Sequence, residues 1–137
     1  MNEIKVIHRQ ADSFAILVRD HVVHVDQPYS AGGQDAGPTP VELFVGSLAS
    51  CAAHYGHRHL ERLGLPAEGL EVTAEYTMSA ARPNRVARVG LLARPPAGVP
   101  VVELDGLRAA MEQCTVHNSL IRPPQLDVHI EIHARAA

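Results

Sequence analysis

Residues 39–64, TPVELFVGSLASCAAHYGHRHLERLG, decide the fold because they carry the start, the packing face and the end of one long helix. Thr39 suits the N-cap, Pro40 suits the first helical position, and Glu42, three residues after the cap, completes a capping box. The glycine that ends the stretch supplies the stop signal. The sequence therefore predicts a helix over Pro40–Leu63.

One face of this helix is defined by residues at spacings of four, three and four: Phe44, Leu48, Cys51 and Tyr55. Gly46 and Gly56 lower the helix propensity of the segment, so we expect close packing to compensate. A cysteine thus lies on the face that packs against the rest of the fold.

Short strands are predicted on both sides of the helix. Residues 3–9, 13–19 and 22–26 are separated by turn residues, which is typical of an antiparallel meander. The segment 27–38, rich in glycine and proline, predicts a loop. After the helix, residues 69–80 and 86–95 predict a hairpin.

The C-terminal third predicts a second helix and a last strand. The helix runs from about residue 102 or 105 to about 120, with these residues on one face: Leu104, Leu107, Met111 and Cys114. In the last strand, apolar residues alternate with polar ones: Leu126, Val128, Ile130 and Ile132. The order βββ-α-ββ-α-β predicts one α+β domain over residues 1–137, with a mostly antiparallel sheet and two main helices.

Composition excludes several classes of function. The 137-residue chain is 46% hydrophobic with a formal net charge of −3, which argues against a nucleic-acid partner that needs a broad basic face. No apolar run approaches the roughly 18 residues of a membrane span, and no secretory signal pattern opens the chain. Two cysteines are too few for a secreted disulfide scaffold, so we expect a cytoplasmic protein without membrane contact.

Cys51 and Cys114 are the candidate functional residues. If the two predicted helices face each other, the thiols meet. A thiolate can attack a peroxide oxygen, become a sulfenic acid and condense with a second thiol to a disulfide. Nearby cations favour the thiolate, and His54 follows Cys51 by one helical turn.

Two other interpretations of these residues stay open. Free cysteines are among the most often buried residues, so both positions also fit a plain core role. Alternatively, the pairs Cys51/His54 and Cys114/His117 supply the two thiolates and two imidazoles of a tetrahedral zinc site. Their spacing matches no standard zinc motif, and no phosphate-binding glycine pattern is present, so we expect neither metal nor cofactor.

Two motifs carry a resemblance to a known family. Gly37-Pro38-Thr39-Pro40-Val41-Glu42-Leu43 is followed by Leu48-Ala49-Ser50-Cys51, and Cys114-Thr115-Val116-His117-Asn118-Ser119-Leu120 comes later. Together they resemble the OsmC/Ohr family, the osmotically inducible protein C and organic hydroperoxide resistance proteins, in its branch with the G-P-T-P-x-E-L motif. The resemblance covers about residues 3–133.

The resemblance implies an OsmC-like fold and an intertwined homodimer with sites at the subunit interface. It also implies a thiol peroxidase that reduces organic hydroperoxides, with Cys51 as the peroxidatic thiol and Cys114 as the resolving thiol. The implied reductant is a small dithiol or a lipoylated protein. A partly apolar pocket is expected to favour alkyl peroxides; its walls would be Phe44, Leu48, Tyr55 and Met111.

Two positions depart from the peroxidase members of that family. Those members carry a glutamate directly after the motif proline, where this chain has Val41; Glu42, one step later, is the candidate for that supporting role. One step turns a helical side chain by about 100°. The family arginine that pairs with the thiolate has only Arg19 as a candidate upstream. The departures favour, as an alternative function, a non-catalytic binding protein of the same fold.

Overall fold

The computed structural model describes residues 2–133, which form two antiparallel sheets and three helices. The predicted α+β class is confirmed. No helix in this part of the chain is long and apolar enough to cross a bilayer.

The N-terminal sheet is a meander of three strands: β1 (Lys5–Gln10), β2 (Ser13–Val18) and β3 (His21–Val25). β2 lies in the centre and is antiparallel to both neighbours, with Ile16 opposite Val6 on one side and Val23 on the other. A two-residue turn joins β2 to β3, and Arg19 adopts φ 51° there. The predicted meander and its turn are therefore present.

The loop after the meander is held by the buried carboxylate of Asp26. Its oxygens accept hydrogen bonds from the backbone N–H groups of Gln27 at 2.7 Å, Ala36 at 3.2 Å and Gln34 at 3.3 Å. These bonds, that of Gln27 foremost, hold the pKa of Asp26 below its usual value, against the opposing effect of burial. The carboxylate thus fixes the chain just ahead of the first helix.

α1 (Pro40–Arg62) begins and ends close to the predicted residues. The side chain of Thr39 accepts from the Glu42 N–H at 3.1 Å, and Glu42 Oε1 accepts from the Thr39 N–H at 2.8 Å, which completes the capping box. After the last turn, the chain passes through Gly64 at φ 67°, a conformation that glycine adopts without strain.

The remaining elements pack around α1: β4 (Glu71–Met78), β5 (Val86–Arg94), α2 (Leu104–Met111) and α3 (Thr115–Ile121). Gly56 brings α1 and α2 together, because a Cβ there would lie 3.0 Å from Met111 Cγ and 3.3 Å from Leu107 Cδ1. The expected compensation by close packing thus holds for Gly56. It does not hold for Gly46, where nothing in the described chain lies within 4 Å of such a Cβ.

Two predictions for the C-terminal third are wrong. The single second helix is two helices, because the chain leaves the helical conformation at Cys114, where ψ is 143°. Residues 126–133 form no strand, because no described strand lies beside them to pair with; their four apolar side chains are 84–89% exposed.

The meander is the less buried part of the fold. Among the strands and helices of residues 2–133, its substantial contacts are confined to its own strands, whereas the β4–β5 hairpin packs on α1. Several large apolar side chains in and beside the meander are exposed: Ile4, Val6, Ile7, Phe14, Val22 and Val23. The core therefore lies between α1, α2, α3 and the hairpin.

Candidate functional site

Cys51 lies in the middle of α1, where it is half-buried and free. The capping box and the glycine exit fix both ends of this helix, so the backbone at Cys51 is rigid. Its neighbours Leu48, one turn earlier, and Ala52 are both buried. The thiol therefore sits at the margin of the core, where part of its surface reaches solvent.

Cys114 occupies a different kind of position, the N-cap of α3. Its backbone is extended, and its Sγ accepts a hydrogen bond from the His117 backbone N–H at 3.2 Å. Its carbonyl oxygen accepts the first helical bond, from the Asn118 N–H at 3.0 Å. The side chain is fully buried. The thiol thus plays the capping role that an oxygen side chain usually plays.

The structure brings the two cysteines together, although the chain separates them widely. Burial is the main cause that raises the pKa of Cys114, and the His117 N–H opposes it. The neighbouring thiol of Cys51 raises the pKa of Cys114 further. The fold therefore places the two thiols near each other, where α3 packs on α1.

A second contact ties the helices together beside the thiols. Tyr55 Oη and Thr115 Oγ1 lie 2.9 Å apart and share a hydrogen bond. Tyr55 follows Cys51 by one turn of α1, and Thr115 directly follows Cys114. This bond holds the start of α3 against α1 at the level of the thiol pair. Sequence reasoning missed it, since two hydroxyls sixty residues apart along the chain give no local signal.

Two of the residues proposed to support the thiolate have other neighbours, and the third lies on the meander. His54 is exposed and packs edge to face on Tyr55, with ring centroids 5.9 Å apart. Glu42 is occupied by the capping box at the start of α1. Arg19 is exposed on the meander, which makes no substantial contact with α1 in the described chain.

The four residues of the alternative zinc set do not assemble. Within residues 2–133, no three histidine, cysteine, aspartate or glutamate side chains lie close enough together to hold a metal ion. The physical reason is the break at Cys114: its Sγ turns back onto the N–H of His117, while His54 faces solvent on α1. Cys51, His54, Cys114 and His117 therefore form no tetrahedral site within one chain.

An apolar cavity of about 450 Å³ opens between α1, β5, α2 and α3; neither cysteine is among its lining residues. Leu48 and Ala52 form its α1 wall, and these residues flank Cys51. Met111 belongs to the wall as predicted, but Phe44 and Tyr55 do not. Polar groups also reach the cavity: Arg108, Glu112 and His117. The Nδ1 atom of His117 is buried with no hydrogen-bond partner among the described residues.

A family profile decides the relationship of the chain to known proteins. The profile of the OsmC-like protein family matches residues 32–129, which include both cysteines. The chain belongs to the OsmC-like family. The resemblance carried by the two cysteine motifs is thereby confirmed, while the narrower G-P-T-P-x-E-L branch stays a prediction. A search of curated proteins found no match.

Several solved structures share the OsmC-like fold. One, from Psychrobacter arcticus 273-4, is provisionally described as an osmotic stress induced and detoxification response protein; it has a TM-score of 0.79 and 19% identity, over 87% of this chain and 88% of that chain. An OsmC like protein from Mycoplasma pneumoniae has a TM-score of 0.76 and 13% identity, over 88% of this chain and 87% of that chain.

A third structure comes from Legionella pneumophila and is called an organic hydroperoxide resistance protein OsmC, predicted redox protein, regulator of sulfide bond formation. Its TM-score is 0.67 and its identity 18%, over 88% of this chain and 90% of that chain. At identities this low, the three likenesses establish the fold that this OsmC-like chain shares with them.

Proposed function

We propose that the protein is a thiol-dependent redox enzyme that reduces organic hydroperoxides through Cys51 and Cys114. The observation that carries the proposal is that the fold brings two free thiols near each other, one half-buried and one fully buried. Membership in the OsmC-like family supports a stress-related redox role. The name of the Legionella neighbour, an organic hydroperoxide resistance protein, supports the substrate class.

The environments of the two thiols support an order for them in the proposed reaction. Cys51 is half-buried and reachable from solvent, as an attacking thiol must be. Cys114 is fully buried, and this burial raises its pKa, which disfavours it as the first nucleophile. Its position against Cys51 suits the second step, in which a neighbouring thiol captures the oxidised sulfur.

The reaction then proceeds in three balanced steps. The Cys51 thiolate attacks the outer oxygen of the hydroperoxide, the O–O bond breaks, and the alkoxide takes up a proton to leave as an alcohol. The resulting sulfenic acid condenses with the Cys114 thiol, which gives a disulfide and one water. A dithiol, either a small molecule or a lipoylated protein, reduces this disulfide by thiol–disulfide exchange.

The cavity favours hydroperoxides with an organic group. Its wall beside Cys51 is aliphatic, since Leu48, Ala52 and Met111 contribute to it. An alkyl or aryl group that enters this space removes apolar surface from water, at roughly 25 cal/mol per Å². Hydrogen peroxide has no such surface and gains nothing from the wall.

A homodimer is part of the proposal. The open apolar faces of the meander and the alternating segment 126–133 have the pattern of sheet surfaces that another layer covers. Along α1, small residues are left uncovered at Gly46 and Ser50. A second copy that packs there would bury these surfaces, and size-exclusion chromatography with light scattering measures whether the chain is a dimer.

The test of the thiol chemistry uses tert-butyl hydroperoxide with dithiothreitol as reductant. We expect turnover in the wild type, no turnover in Cys51→Ser, and a sulfenic acid trapped on Cys51 by dimedone in Cys114→Ser. Ser50→Ala is the matched control, because Ser50 adjoins Cys51 and bonds only the Ser47 carbonyl within its own helix. Hydroperoxide consumption that persists in Cys51→Ser contradicts the proposal.

A second candidate function, a binding protein without turnover, is favoured by the positions of two proposed supporting residues: Glu42 is engaged in the capping box, and Arg19 lies on the meander, which makes no substantial contact with α1. The rate of Cys51 alkylation as a function of pH separates the two candidates. An inflection well below about pH 7 indicates an activated thiolate and contradicts simple binding.

A further inference from the structure

A second cleft lies between the C-terminal half of α1 and the end of α2, with a volume of about 360 Å³. Its α1 wall carries four basic side chains: His54, Arg58, His59 and Arg62. The opposite wall is formed by Ala110 and by Gln113, neither of which is charged. Positive charge is therefore gathered on one side of a concave surface, and no carboxylate lines it.

Neither arginine of the cleft forms an ion pair within the described chain. The only ion pair in residues 2–133 joins His57 Nε2 to Glu61 Oε1 at 3.3 Å, so Glu61, three residues after Arg58 on α1, is paired with a histidine. Arg58 and Arg62 are one turn apart, a spacing at which like charges destabilise a helix. The whole chain has a net charge of −3. The two arginines therefore repel each other along the helix, and no ion pair within residues 2–133 offsets this repulsion.

α2 packs close to His59 at the inner side of the cleft. A Cβ at Gly106 would lie 3.4 Å from His59 Nε2. That nitrogen is buried and has no hydrogen-bond partner among residues 2–133. The groups that a ligand in the cleft can reach are therefore the exposed side chains of Arg58, Arg62 and Gln113.

We propose that this cleft binds a phosphate-like dianion, either free phosphate or the phosphate group of a small ester. A guanidinium presents its N–H donors in a planar fork that matches two oxygens of a tetrahedral oxyanion, and the cleft offers two such groups at helical spacing. The side-chain amide of Gln113 adds a neutral donor from the facing wall. The site is separate from the apolar cavity, and its test does not depend on peroxidase activity.

Isothermal titration calorimetry with inorganic phosphate at pH 7, with ionic strength fixed by chloride, measures the binding directly. We expect saturable binding of one phosphate per chain. Arg58→Gln and Arg62→Gln should each weaken it about three- to tenfold, since each removes one partly exposed charge-assisted contact. A parallel titration with phenyl phosphate distinguishes the sources: tighter binding indicates an ester, and equal affinity indicates the free anion.

Two further variants keep the proposal falsifiable. Arg88→Gln makes the same charge change on β5, outside the cleft, and should leave the affinity unchanged. Gln113→Glu places a carboxylate in the cleft without a change in size, and should weaken binding more than either arginine variant. The proposal is overturned if wild type shows no saturable binding, if Arg88→Gln weakens it as much as Arg58→Gln, or if Gln113→Glu has no effect.

Discussion

The helical part of the molecule and the N-terminal meander differ in how much apolar surface one chain buries. The three helices and the β4–β5 hairpin share a core in which Leu60 and Cys114 are completely enclosed. The meander exposes several large apolar side chains and has no substantial contact with another strand or helix of residues 2–133. In the segment 126–133, apolar residues alternate with polar ones, and the apolar side chains are 84–89% exposed. The thiol pair thus belongs to the part that is complete within one chain, and the open part is available to a second copy.

The largest expected effect comes from a buried leucine in the complete part. Leu60→Ala should lower the free energy of unfolding by about 3 kcal/mol, because a fully enclosed side chain leaves a cavity that the helices cannot close. Val128→Ala, at a position 89% exposed in one chain, should cost less than about 0.5 kcal/mol in the monomer and more in the proposed dimer, where a second copy covers the segment. Urea unfolding measures both. A cost at Val128 that approaches the cost at Leu60 would mean that the tail is covered in solution.

The two glycines of α1 are expected to respond in opposite directions to replacement by alanine, with smaller effects on stability than Leu60→Ala. Gly56→Ala should destabilise by about 1 kcal/mol, because the crowding against Met111 exceeds the gain in helix propensity. Gly46→Ala should stabilise the single chain by about the same amount, since nothing in the described chain approaches its Cβ position, whereas in the proposed dimer a second copy at this face would cancel the gain. Thermal unfolding compares them. A loss of stability or of dimer in Gly46→Ala would show that this face of α1 is in close contact with a partner.

The sequence predicted those parts of the fold whose signals are local. Thr39, Pro40 and Glu42 place the start of α1 correctly because a helix cap is built from neighbours in sequence. The break of the second helix at Cys114 was missed for the opposite reason. Leu104, Leu107 and Cys114 keep a helical spacing, and cysteine is not among the usual capping residues, so periodicity alone favours a continuous helix.

The candidate site could be predicted only in part. The motifs identified the two cysteines, but their meeting is a tertiary event that depends on the approach of α1 and α2 at Gly56. Residues 126–133 alternate apolar and polar residues as a strand does. A strand also needs a neighbouring strand to pair with its backbone N–H and C=O groups, and residues 2–133 provide none for this segment. The alternation of apolar and polar residues indicates which face of a segment is apolar. It does not indicate whether the same chain or another chain covers that face.

Lowering the pH should weaken the junction between the meander and α1 before it weakens the core, because the junction depends on the carboxylate of Asp26. The pKa of Asp26 is lowered in the folded protein, mainly by the Gln27 N–H, so its stabilising effect is present above the unfolded value of about 3.9 and is lost as pH falls below it. Wild type should therefore lose stability between about pH 4 and the lower folded pKa. Asp26→Asn has no carboxylate to protonate. The difference in free energy of unfolding between wild type and Asp26→Asn should therefore become smaller as the pH falls below about 4.

The smallest expected effect is at Glu42, where the loop from the meander enters α1. Gln at this position keeps an oxygen that can accept from the Thr39 N–H, now 2.8 Å from Oε1, but loses the negative charge at the positive end of the helix. Glu42→Gln should therefore lower the free energy of unfolding by about 0.5 kcal/mol, whereas Thr39→Ala, which removes the cap itself, should cost about 1 kcal/mol. Urea unfolding at low and high salt provides the check, because the Glu42→Gln deficit should shrink as salt screens the helix dipole. A deficit that is large and independent of salt would mean that Glu42 has a partner beyond the capping box, in the meander or in a second copy.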